Sequence, residues 1–144
     1  MMKKIEVAVL GATGMIGQRF VQLLEDHPYF RIGGLYASER SEGKSLAEVL
    51  KVKDVRFQQD TLDIKIEQLD PQAISKRCRA AFSGLPTEVA KDTESSLAGL
   101  GVAVFSNAAS HRMRADVPLL IPEVNPDHLE MVRYFARRDP ASFG

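Results

Sequence analysis

The sequence has a single cysteine, Cys78, and therefore no second thiol with which to close a disulfide; a reducing cytoplasm is the expected compartment. It has no excess of either charge. Nineteen Lys and Arg balance nineteen Asp and Glu, whereas nucleic acids and anionic membrane surfaces select basic proteins. No apolar run approaches the roughly 18 residues that a membrane-spanning helix requires. Met1 to Glu6 carries lysines but leads into a strand-like run without a small-residue cleavage site, so no signal peptide is expected. Internal repeats are missing, as are low-complexity tracts and Pro/Gly-rich linkers before the C-terminal end. His, Cys, Asp and Glu nowhere show metal-ligand spacing, so no metal is expected. What remains is one globular domain: 144 residues, 44% apolar and 26% charged, are enough to bury a single core.

The positive signal is alternation. Ile5 to Leu10 (IEVAVL) is a short apolar run ended by glycine, as in a strand buried on both faces. Met15 to Asp26 then sets Ile16, Phe20, Leu23 and Leu24 at helical spacing, and His27-Pro28 stops it. Further strands are predicted at Phe30 to Ala37, Asp63 to Leu69 (half-exposed, at an edge), Arg79 to Ser83 and Val102 to Phe105. Helices are predicted at Leu46 to Leu50, Thr87 to Leu97 and Asp127 to Arg137; Ser41 to Gln59 is the least legible stretch. Strands separated by helices argue for βαβ units. The expected fold is α/β, Rossmann-like and doubly wound, a mostly parallel sheet with helices on both faces.

Gly11-Ala12-Thr13-Gly14-Met15-Ile16-Gly17 stands where the first strand ends and the first helix opens. In such a turn Gly11 permits the tight bend, Gly14 the approach of backbone to a pyrophosphate, and Gly17 the packing of helix on sheet. The free N–H groups and positive helix end attract the anion, and Thr13 adds a hydroxyl. The spacing is G-x-x-G-x-x-G rather than G-x-G-x-x-G, and a glycine triplet alone also fits a purely structural turn.

The tip of the second strand discriminates NAD from NADP: an acid there accepts from a ribose hydroxyl, an arginine receives a 2′-phosphate. Here it reads Ala37-Ser38-Glu39-Arg40-Ser41-Glu42-Gly43-Lys44. The favoured reading sets Ser38, Arg40 and Ser41 around a 2′-phosphate, with Glu39 pointing away, because a guanidinium makes bidentate, charge-assisted bonds. The alternative is a solvated charged loop.

These segments, with Phe82-Ser83-Gly84-Leu85-Pro86, Ser106-Asn107, Ser110-His111-Arg112-Met113 and Asp116 to His128, resemble aspartate-semialdehyde dehydrogenase of the branch found in archaea and fungi. The likeness runs from about Lys4 to Leu129. It implies a family that reduces an acyl phosphate, β-aspartyl phosphate, to aspartate semialdehyde with NADPH, on the way to lysine, threonine and methionine. Its full-length members are homo-oligomeric. It implies further that Gly11, Thr13, Gly14, Met15, Ile16 and Gly17 hold the cofactor phosphates, and that Ser38, Arg40 and Ser41 hold the 2′-phosphate. Ser83, Gly84 and Asn107 then lie along the cofactor, and Arg112 receives the substrate's phosphate, an exposed surface arginine being the bland alternative. Pro122-Glu123-Val124-Asn125 is read as a join to the last helix rather than as cleft lining.

The family's chemistry needs a cysteine thiolate and a proton-shuttling histidine. The resemblance places that cysteine in an Asn-Cys-Ser/Thr segment, which this sequence does not contain. Cys78 precedes a strand, at the sheet edge opposite the ligands, and is read as structural; His111 is read as a loop histidine. The expectation is thus an NAD(P)-binding domain at 1–132, a divergent or truncated tail at 133–144, and no catalytic residue in this chain, the catalytic and dimerisation domain being absent and the chain inactive alone. Alternatives are a related reductase of N-acetylglutamyl phosphate or malonyl-CoA, or a non-catalytic NADP-binding module. Short-chain dehydrogenases are disfavoured, because Tyr29, Tyr36 and Tyr134 are followed four residues on by Gly33, Arg40 and Arg138 rather than lysine.

Overall fold

A computed structural model describes residues 3–131. Five strands form one sheet: β1 (Ile5–Leu10), β2 (Phe30–Ala37), β3 (Ile66–Gln68), β4 (Ala80–Ser83) and β5 (Ala103–Ser106). Every pairing between them is parallel, in the order β3-β2-β1-β4-β5. The chain winds outward from β1 through β2 to β3, then crosses back to β4 and β5. Two windings diverge from β1 and β4, the arrangement that opens a crevice at the carboxyl ends of those strands. The expected doubly wound α/β fold is observed, with β3 at an edge.

Side-chain alternation explains why both faces are covered. Val7 and Val9 point into a core with Val21 and Leu24 of helix α1 (Met15–Leu24), Leu35, Leu46 and Ile66. Ala8 and Leu10 point the other way, onto Ile74 of α3 (Pro71–Arg77), Ala90 and Leu97 of α4 (Thr87–Gly99), and Tyr36. Val7 to Leu10 are fully buried, as a central parallel strand demands. The opposite edge strand, β5, is largely exposed, and its Phe105 ring stacks on Phe82 at 5.3 Å.

Two local expectations need revision, and one short helix, α3, lies outside them. The helix predicted at Leu46 to Leu50 is only a 3-10 turn, Ala47–Val49, and a one-turn helix α2 (Gln59–Leu62) follows it. Helix α3 escapes the apolar pattern because it is short, but its start is chemically plain. Pro71 opens it, and the Asp70 carboxylate caps it by accepting from the Gln72 and Ala73 N–H groups at 3.0 and 3.4 Å. Helix α1 buries Gly17, Gln18, Val21 and Leu24, while Ile16 and Leu23 face solvent. Its inward face is therefore turned one residue from the apolar set, because the glycine must meet the sheet. For the last predicted helix, a 3-10 turn Pro126–His128 leads into helical residues 129–131, and the remainder lies outside the described residues.

The illegible stretch after β2 has little regular structure, a 3-10 turn and an isolated bridge of Ser45 to Lys65, and α1 fastens it further by polar side chains. Gln18 bonds Val49, Lys51 and Val52; Arg19 grips both oxygens of Asp54 at 3.0 and 3.1 Å; Glu25 accepts from the Gln58 N–H. No helix among the described residues is long and apolar enough to cross a membrane.

Candidate functional site

In a parallel sheet all carboxyl ends share one edge. The loops after β2, β1, β4 and β5 therefore follow one another along it, with the glycine turn between the Ser38–Lys44 segment and Ser83-Gly84. The turn is pinned from β2: the Gly11 and Ala12 N–H groups both donate to the Tyr36 carbonyl, at 2.8 and 3.1 Å. Gly11 has φ +79°, a conformation that favours glycine.

Two of the three glycines are demanded by the protein itself. A Cβ on Gly17 would sit 2.1 Å from the Gly11 carbonyl oxygen, and one on Gly11 2.9 Å from that of Gly84. A Cβ on Gly84 would in turn meet Ile16 Cγ2 at 2.9 Å and the Gly17 nitrogen at 3.0 Å. Gly11, Gly17 and Gly84 thus form one backbone-to-backbone contact that locks the turn, the start of α1 and the end of β4 together.

Gly14 differs. It lies in ordinary extended backbone, φ −95° and ψ 165°, and a Cβ there would touch only the Gly11 oxygen, at 3.5 Å. Nothing among the described residues requires a glycine at this position. Gly14 is also the N-cap of α1 and supplies no side-chain cap, and the first turn of the helix contains no acid. The N–H groups of Met15, Ile16 and Gly17 have no intrahelical partner by geometry. A bare, positively polarised helix end beneath an open glycine fits a phosphate group of a nucleotide.

The neighbouring loop presents an exposed arginine. After β2, a 3-10 turn Glu39–Ser41 exposes Ser38, Glu39 and Arg40 and half-buries Ser41. No ion pair engages Arg40 among the described residues, whereas Glu42 accepts from Gln68 Nε2 at 2.6 Å. The Gly43 N–H donates to Ile66 and the Ile66 N–H to Lys44, which ties the loop to β3.

On the other side Ser83 is fully buried and its carbonyl accepts from the Asn107 N–H at 3.1 Å, so Asn107 begins its loop beside Gly84. Helix α4 holds that loop: Ser106 Oγ donates to the buried Glu94 at 2.5 Å and Ser110 Oγ to the Thr87 carbonyl at 3.0 Å. Arg112 is exposed and donates to the Asn107 carbonyl at 3.2 Å, and His111 Nε2 lies 3.4 Å from Ser95 Oγ. Asn125 behaves as a joint. Its Oδ1 accepts from the Ile121 N–H at 2.6 Å and its Nδ2 donates to the Leu119 carbonyl at 2.8 Å, which closes the turn around Pro122-Glu123-Val124. Sequence reasoning missed Gln18, Glu94 and Asp70. The available signal was a polar residue falling on the buried helical set at 17, 18, 21 and 24.

Cys78 sits at the far edge, just before β4, and is buried. Burial, then the Glu6 carboxylate, push its thiol from 9.0 up to about 11, and burial with Cys78 and Glu67 nearby pushes the Tyr36 phenol from 10.0 up to about 12. A high thiol pKa is the opposite of what a nucleophile needs. In both groups the folded chain keeps a proton that the unfolded chain gives up sooner. Their contribution to stability is complete below pH 9 and is lost progressively as pH rises through 11 and 12. The urea midpoint is therefore expected to fall from pH 9 upward, with thiolate absorbance half-developed near pH 11. A midpoint flat to pH 11, or rapid alkylation of the native thiol at pH 8, contradicts this.

The model of the semialdehyde dehydrogenase NAD-binding domain matches residues 6–132. An aspartate-semialdehyde dehydrogenase of Archaeoglobus fulgidus is 43% identical over 130 residues, 90% of this chain and 37% of that protein. The crystal structure of the Candida albicans aspartate-semialdehyde dehydrogenase with NADP superposes with a TM-score of 0.88 at 39% identity, over 94% of this chain and 38% of that one. Aspartate-semialdehyde dehydrogenase II of Vibrio cholerae, in complex with ASA, gives a TM-score of 0.73 at 28% identity, over 91% and 39%. The chain thus spans little more than a third of the length of the relatives it matches.

Proposed function

This chain belongs to the semialdehyde dehydrogenase family, matching its NAD-binding domain, and from that premise we propose that it holds NADP for the reduction of an aspartyl phosphate to aspartate semialdehyde. The observation that carries the reading is Gly14. It is a glycine the fold itself does not need, set over a helix start without a cap. The N–H groups of Thr13, Met15, Ile16 and Gly17 bind the diphosphate, and Gly11 and Gly84 keep the turn in place. Ser38, Arg40 and Ser41 receive the 2′-phosphate; Ser83, Gly84 and Asn107 lie along the remainder of the nucleotide.

When bound, NADPH supplies the hydride. Arg112, on the loop held by α4, binds the phosphate of the acyl phosphate, and its charge favours that group as it leaves. The nucleophile comes from outside residues 1–144, since Cys78 is buried at the wrong edge of the sheet. The complete enzyme is a homo-oligomer acting on a small acyl phosphate in the cytoplasm.

The direct test is the thermal midpoint of the chain with NADP and with NAD. At a hundredfold excess over the dissociation constant the nucleotide adds about 2.7 kcal/mol of stability. Arg40→Ala is expected to weaken NADP by about 10- to 100-fold, the loss of a charged hydrogen-bonding partner, while leaving NAD unchanged. Equal losses for both nucleotides contradict the 2′-phosphate assignment, and no shift with either contradicts the reading as a whole.

A further inference from the structure

Gln18 is fully buried, and every donor and acceptor site of its amide is used. Its Nε2 donates to the Ala12 carbonyl at 3.2 Å and to the Val49 carbonyl at 2.9 Å. Its Oε1 accepts from the N–H groups of Lys51 and Val52, at 2.8 and 3.2 Å. Two donors and two acceptor sites are all an amide has. Three of these bonds fasten the irregular stretch after the Ser38–Lys44 loop. The fourth goes to the glycine turn.

That fourth bond has a directional consequence. The described backbone contains no cis peptide bond, and in a planar trans peptide the C=O and N–H point to opposite sides. The Ala12 carbonyl is drawn to the buried Nε2, so the N–H of the same peptide, that of Thr13, points away from Gln18. Among the described residues no backbone carbonyl accepts from it. An apolar side chain would fill the same volume in the core without fixing this plane.

We propose that Gln18 is a positioning residue that aims the Thr13 N–H at the nucleotide diphosphate and ties that aim to the Val49–Val52 stretch, an inference that rests on the NADP reading above. Gln18→Glu keeps the acceptor for Lys51 and Val52 but removes the donor to Ala12 and Val49; Gln18→Met removes donor and acceptor alike. The probes are NADP and adenosine 2′-phosphate, which carries the 2′-phosphate but no diphosphate. Gln18→Glu is expected to weaken NADP about tenfold or more, as for one lost charge-assisted bond, and to leave adenosine 2′-phosphate within about twofold of the wild type. A general loss of structure weakens both probes together, and such a parallel loss overturns the proposal, as does an NADP affinity that survives Gln18→Met. Wild-type chain that binds neither probe instead overturns the NADP reading itself. The unaltered, 15N-labelled chain supplies a measurement independent of whether the variants fold: NADP moves the Thr13 amide proton downfield. A Thr13 resonance unmoved by saturating NADP overturns the proposal.

Discussion

Gly17→Ala is expected to destabilise the chain by about 2–3 kcal/mol, the cost of forcing an extra carbon into a packed contact, and to lower the thermal midpoint by about 5–10 °C for a domain of this size. In most helices the same substitution helps, since alanine is favoured over glycine by about 1 kcal/mol. Here the new Cβ would lie 2.1 Å from the Gly11 oxygen, 2.7 Å from its carbonyl carbon and 3.0 Å from Ala12 Cα. All three are backbone atoms of a turn held at one end by Tyr36 and at the other by Gly84. No flexible side chain is available to move aside, so helix and turn must separate. An unchanged or raised midpoint in thermal denaturation contradicts this packing.

Gly14→Val is expected to do the reverse: fold, but not bind. Its backbone is extended, and among the described residues an added Cβ meets only the Gly11 oxygen, at 3.5 Å, so the variant loses about 1 kcal/mol, the cost of a poor N-cap residue. The branched side chain fills the space over the bare N–H groups of α1. NADP affinity is expected to fall about a hundredfold or more, as several charge-assisted hydrogen bonds are lost together. Calorimetric titration beside a urea melt separates the two effects. Affinity retained in a folded Gly14→Val chain shows that no phosphate sits there. The pair of variants distinguishes the glycine the protein needs from the glycine its ligand needs.

The sheet was legible in the sequence because its strands are short apolar runs bounded by glycine, proline or polar residues, and central strands have only that pattern to offer. Ile5 to Leu10 matches β1 residue for residue. The glycine turn was legible for a mechanical reason, namely strand before and helix after, and its division of labour was not. From sequence all three glycines look alike; only the backbone distances separate Gly14 from Gly11 and Gly17. The stretch after β2 could not be read because its order comes from elsewhere. Gln18, Arg19 and Glu25 on α1 hold it, at sequence separations of about 30 residues. Helix α3 was lost to shortness, although Asp70-Pro71 announces its start. Arg112 was named through family likeness, and the structure adds its tether to Asn107 and the support of its loop on α4.

A crystal structure of the chain grown with NADP decides the matter most directly. The nucleotide's diphosphate should lie within hydrogen-bond distance of the Thr13, Met15 and Ile16 amides, with its 2′-phosphate against Arg40. Nucleotide density elsewhere on the molecule, or a turn without ligand at saturating NADP, would contradict the account.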